Sequence, residues 1–124
     1  VVPAPLAAAP AATPLTNAEQ LAHAQHHADT GRLAEAADAC HALLALDATI
    51  AGACFILALV CQCRDDGAGA ERYLRQCVYL EPDHYDALCA LALLSDQAGE
   101  HDKAGRYRQR AARASTAAHG ARAA

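Results

Sequence analysis

The sequence predicts an all-α fold, a right-handed superhelix of three tetratricopeptide-type helix–turn–helix repeats with about six helices. Two observations carry this. The chain superimposes on itself, without a gap, at a shift of 34 residues, so that Ala24, Ala58 and Ala92 align, as do Ala36, Ala70 and Ala104. Gly31, Asp65 and Gly99 fall in the same register, where each unit needs a turn. Self-similarity at this period marks a helical-repeat array, in which each unit buries its apolar face only by stacking on a neighbour.

Residues 1–16 precede the repeats. They carry four of the five prolines and no charge, the composition of an extended linker. They lack the basic start and continuous apolar block of a secretory leader. The absence of any methionine suggests a domain excised from a longer chain. The units are 17–50, 51–84 and 85–118, and the spacing predicts helices near 17–30, 33–46, 51–64, 67–80, 85–98 and 101–115. Residues 116–124 are expected to fray.

Each element has a local reason. Thr16-Asn17-Ala18-Glu19 reads as a capping box opening the first helix. Gly31 and Gly99 suit left-handed C-caps. The second unit fits the repeat pattern best, with Cys54, Leu57, Ala58 and Cys61 followed by Ala70, Leu74 and Pro82. Pro82-Asp83 breaks the chain between the second and third units, and Asp83 can cap the helix that follows. The third unit reads Leu88, Leu91, Ala92, Ser95 and Ala104, whereas the first departs, with Gln20, His23 and His27 where apolar residues usually stand. Small residues at the helix crossings let the backbones approach closely.

Composition narrows the function. Hydrophobic residues make up 54% of the chain, but much of that is alanine and only 4% is aromatic, so stability must come from many small contacts. The net charge of −4 conceals an asymmetry: residues 1–102 hold all fourteen acids and four bases, −10, and residues 103–124 hold six bases, +6. The longest apolar run, about 51–61, is shorter than the ~20 residues a membrane span needs. Cys40, Cys54, Cys61, Cys63, Cys77 and Cys89 lie within predicted helices, several at positions that ask for a small apolar residue. That usage suits a reducing, cytoplasmic setting.

Stacked repeats turn their first helices toward a concave face. The register places Leu21, Gln25 and Asp29 of the first unit there, with Phe55, Leu59, Gln62 and Cys63 of the second, and Asp86, Cys89, Leu93 and Asp96 of the third. An apolar floor edged by acids and amides marks a partner-binding surface. Residues 1–16 or a second copy of the domain are alternative occupants.

Other constellations carry less. His23, His26 and His27 cluster on one helix, and with Cys40 they offer three zinc-type ligands without a fourth. Cys61 and Cys63, two apart on a helix, point in nearly opposite directions. No base or oxyanion element accompanies a cysteine nucleophile. Arg106, Arg108, Arg110 and Arg113 read as wrapping around the last helix, a solvating cap rather than a nucleic-acid stripe. A carboxylate clamp for chaperone tails is not expected, since Leu21, Gln25, Phe55 and Leu59 occupy the positions its Lys and Asn need.

Two strings go beyond the generic repeat: 29–36 (DTGRLAEA) and 73–84 (YLRQCVYLEPDH). Together with 88–94 (LCALALL) they resemble the C-terminal tetratricopeptide region of bacterial CheR-type chemoreceptor methyltransferases, in their biofilm-linked branch. The resemblance implies an upstream catalytic domain that methylates receptor glutamates with S-adenosylmethionine, a Pro/Ala-rich linker, and then this array. None of the family's catalytic or cofactor residues falls in residues 17–115. The function expected from it is a non-catalytic, regulatory protein-interaction module, with no cofactor or metal of its own. Its partner would be a chemoreceptor, a signalling component or its own catalytic domain. The alternatives are a generic assembly or secretion scaffold and an anionic-nucleotide-binding module.

Overall fold

The computed structural model describes residues 15–123 and contains six helices among them: α1 (Asn17–Asp29), α2 (Leu33–Leu46), α3 (Ala51–Cys63), α4 (Gly67–Leu80), α5 (Tyr85–Gln97) and α6 (His101–Ala123). They pair as α1 with α2, α3 with α4 and α5 with α6, and each pair stacks on the next through α2–α3 and α4–α5. The expected boundaries hold to within one residue except at the end. There α6 runs past residue 115 to Ala123, because 116–123 contains no proline and is rich in alanine, the strongest helix former. The linker expected over residues 1–16 lies, up to residue 14, outside the described residues.

The turns explain the aligned 31, 65 and 99. Gly31 (φ 81°), Asp65 (φ 59°) and Gly99 (φ 82°) are all left-handed. In each unit the amide of the following residue bonds back to the same helical carbonyl: Arg32 to His27, Asp66 to Cys61 and Glu100 to Ser95, each at 2.8 Å. This is a Schellman closure repeated three times. Aspartate is one of the few side chains that tolerates the conformation.

The caps are partly as expected. Thr16 Oγ1 accepts from the Glu19 amide at 3.1 Å, and Glu19 Oε1 accepts from the Thr16 amide at 2.8 Å, a complete capping box. Asp83 does not cap α5. The N-cap is His84, one residue later, whose Nδ1 accepts from the Ala87 amide at 3.1 Å.

Two continuous cores fill the stack. One joins Ala24, Ala36, Cys40 and Leu43 to Ile56, Leu57 and Val60 of the next unit. The other joins Cys54, Ala58, Leu74 and Cys77 to Leu88 and Leu91. Cys40, Cys54 and Cys77 are fully enclosed, and all six thiols are free. Burial pushes Cys77 up to about 12 and Cys40 up to about 11, which keeps both protonated and packs them as small apolar side chains.

A candidate partner-binding groove

The register-predicted groove residues separate into three groups. Asp29, Leu59, Gln62, Cys63 and Leu93 come together along two hollows. The first, about 330 Å³, lies between the α1–α2 turn and the end of α3, lined by Ala28, Asp29, Leu33, Leu59, Val60, Gln62 and Cys63. The second, about 260 Å³, lies between the α3–α4 turn and the end of α5, lined by Gln62, Asp65, Asp66, Gly67, Leu93, Leu94 and Gln97. A shift of 34 residues carries one onto the other: Ala28 onto Gln62, Leu33 onto Gly67, Leu59 onto Leu93, Val60 onto Leu94 and Cys63 onto Gln97. They are one site repeated at successive junctions, with Gln62 as the wall between them. Leu59 is half-buried, whereas Leu93 is 55% exposed, a large apolar side chain left uncovered beside the second hollow.

A second group is spent on packing. Leu21 lies over Gly52, its Cδ2 within 2.7 Å of where a Cβ would stand, so the missing side chain is what lets α1 and α3 approach. Phe55 is half-buried beneath the α5 cap, its ring centroid 5.0 Å from that of His84. Gln25 Nε2 donates to Asp29 Oδ1 at 2.8 Å, one turn along α1.

The third group belongs to the last unit. Asp86 is exposed in the first turn of α5. Cys89 lines a separate hollow of about 470 Å³ with Tyr85 and with Arg108, Ala112 and Thr116 of α6. Asp96 accepts from Arg108 Nη1 at 2.6 Å and from His101 Nδ1 at 2.8 Å. The Arg108 hydrogen bond, with the one from His101, holds the Asp96 carboxyl below its ordinary range. Its charge is therefore committed within the unit. The acids that border the hollows are instead Asp29, Asp65 and Asp66.

Sequence reasoning missed Leu33, Val60 and Leu94, which belong to hollow walls built by the turn of one unit and the last helical turn of the next. The signal was available, because those positions also repeat at 34. The histidines do not converge: His23 and His26 are exposed, while His27 is half-buried with its Nδ1 enclosed and unpartnered. Among the described residues, no three His, Cys, Asp or Glu side chains gather as a metal site would require. Cys61 is half-buried beside Asp66, and Cys63 is exposed at the first hollow. Among the described residues, no helix is long and apolar enough to cross a membrane.

No protein-family model matches the chain. Among curated proteins, the probable biofilm formation methyltransferase WspC of Pseudomonas aeruginosa (strain PAO1) is 35% identical over 109 residues, 88% of this chain and 25% of that protein. The chain thus spans a quarter of the length of the relative it matches. What is matched on this side is the helical array, so no catalytic residue comes across with it. Among solved structures, a crystal structure of MamA superposes with a TM-score of 0.71 at 26% identity, over 82% of this chain and 55% of that one. A second MamA crystal structure gives 0.69 at 28%, over 81% of this chain and 58% of that one. A MamA double mutant gives 0.72 at 13% identity, a likeness of fold alone. The chain is a tetratricopeptide-like helical-repeat domain, and it resembles part of a CheR-type methyltransferase over most of its own length.

Proposed function

We propose that this domain is a non-catalytic protein-interaction module that regulates a CheR-type, S-adenosylmethionine-dependent receptor methyltransferase in chemosensory or biofilm signalling. The observation that carries the groove reading is the repeated hollow. Two equivalent sites, floored by Leu59 and Leu93 and separated by Gln62, suit an extended or helical segment that offers one apolar side chain to each. The similarity to WspC supports the methyltransferase context. The groove would hold a segment of a chemoreceptor, of another signalling component, or of the methyltransferase's own catalytic domain. The likeness to MamA leaves a generic scaffold as the second reading.

The test is calorimetric titration of the isolated domain with the receptor's cytoplasmic fragment and, separately, with the catalytic domain. Leu59→Asp with Leu93→Asp should weaken the productive interaction at least about tenfold, since each leucine buried by a partner contributes roughly 1.5–3 kcal/mol. Equal affinity of the double variant would remove the groove. Binding of neither protein by the wild-type domain would favour the generic scaffold.

A further inference from the structure

The outer surface of the array carries a charge pattern that the groove does not use. On α4, burial of Ala70, Leu74, Cys77 and Val78 leaves Arg72, Arg75 and Tyr79 facing out, with Tyr79 83% exposed. On α6, Ala104, Ala111 and Ala114 are buried. At 100° per residue, Arg106, Arg110 and Arg113 then fall on one side of the helix, Arg106 and Arg113 exposed and Arg110 half-buried against Tyr107, while Arg108 points elsewhere and binds Asp96. The four arginines do not wrap the helix evenly: one is committed and three are aligned.

The alignment extends across units. Arg72 and Arg106 occupy the same register position, as do Tyr73 and Tyr107. The Arg72 guanidinium lies 5.3 Å from the Tyr73 ring centre, and that of Arg110 lies 5.9 Å from the Tyr107 ring centre. The acids nearby are Glu71, Glu100 and the exposed Asp102, one turn before Arg106. Glu71 takes Lys103 at 3.2 Å and lies 3.9 Å from Arg75, and Glu100 lies 3.8 Å from Lys103. Among the described residues, no carboxylate lies within ion-pair distance of Arg72, Arg106, Arg110 or Arg113. In the first unit the same row turns acidic, with Asp38 at the position of Arg72 and Arg106.

We propose that the outer face of α4 and α6 is a second docking surface, and that it receives a short acidic segment of a protein partner. Arg106 to Arg113 spans about 10 Å along the helix, which sets the scale of that segment. A long polyanion fits poorly. It would run on to the acidic row of α2 and meet the −10 carried by residues 1–102. The shallow hollow among Lys103, Arg106, Tyr107 and Arg110 is about 260 Å³. That lies below the ~300–1,000 Å³ of sites that enclose a small molecule, but it accommodates a carboxylate between cations. The surface is independent of the groove, and either can fail without the other.

The experiment uses the intact chain and a fluorescein-labelled glutamate-rich peptide, followed by anisotropy over a range of salt concentrations, with single-stranded oligothymidylate of equal charge as comparison. Saturable peptide binding that weakens with salt is expected, with the oligonucleotide weaker. Arg106→Gln/Arg110→Gln/Arg113→Gln should reduce peptide affinity by about tenfold or more. Arg32→Gln/Arg64→Gln, which removes cations elsewhere, should change it less than about twofold. Absence of saturable binding at low salt, equal loss in the two variants, or tighter binding of the oligonucleotide would each overturn the proposal. The substituted side chains are exposed apart from the half-buried Arg110, and none belongs to the buried core, so unchanged helical circular dichroism is expected in every variant.

Discussion

The first and second units share a backbone register but not an environment. Leu57 sits at the position of His23, and Val60 at that of His26. In the second unit both are enclosed, because α3 lies against α2 of the unit before it. In the first unit no described helix stands in that place, and His23 and His26 are exposed. Among the described residues, the histidines of this column lie on a face that no described helix covers, where an imidazole keeps its contact with water. Ala24, by contrast, is as buried as Ala58, because both face the partner helix inside their own unit. Positions facing within a unit keep their chemistry between these two units, and positions facing a preceding helix differ in the first described unit.

Truncating both members of the column separates the two environments. Leu57→Ala should cost about 2–5 kcal/mol, as buried leucine truncations do. His23→Ala should stay within about 0.5 kcal/mol. Urea unfolding monitored by circular dichroism measures both. A costly His23→Ala would show that the first unit's outer face is covered after all.

A smaller effect tests the turns, where the left-handed residue differs between units. Asp65 holds the left-handed conformation that Gly31 and Gly99 hold without a Cβ. Asp65→Gly should therefore be neutral or stabilising by up to about 1 kcal/mol. Gly31→Ala should destabilise by about 1 kcal/mol through strain, since no atom lies near enough to clash with the added methyl. The thermal unfolding midpoint should fall for Gly31→Ala and hold or rise for Asp65→Gly. Movement in the same direction would mean that the Asp65 side chain contributes more to the turn than its strain costs.

These cases also show where sequence alone reaches its limit. The helices and the three aligned turns could be read because their causes are local and recur at 34. The core cysteines could be placed because a small apolar residue is what the crossing requires. The groove was legible in part: Leu59, Gln62 and Leu93 line the hollows, yet the register says nothing of what a neighbouring helix supplies. Asp96 is claimed by Arg108, twelve residues on, and Leu21 is drawn onto Gly52 because a Cβ is missing there. Both depend on helix-to-helix geometry. The arginine stripe was visible in principle, since 106, 110 and 113 fall on one face. Counting Arg108 with them hid it.

The smallest effect concerns two carboxylates held in different ways. Asp47, after the first unit's second helix, accepts from Thr49 Oγ1 at 2.6 Å and from the Thr49 amide at 2.9 Å. Those bonds lower its pKa. Asp96 is lowered chiefly by Arg108, from another helix, and then by His101. In both, the folded-state pKa lies below the unfolded one. The stabilisation is therefore present above the ordinary carboxyl value near 3.8 and is lost as pH falls through the depressed folded value. Both groups are solvent-exposed, so salt and water screen the contribution. Arg108→Ala should raise the Asp96 midpoint in a side-chain carboxyl NMR titration and leave that of Asp47 in place, because Asp47 depends only on its own turn. An unmoved Asp96 would show that His101 alone sustains the shift. A moved Asp47 would show that the ends of the array are electrostatically coupled, against the separation that the first-unit and second-unit comparison implies.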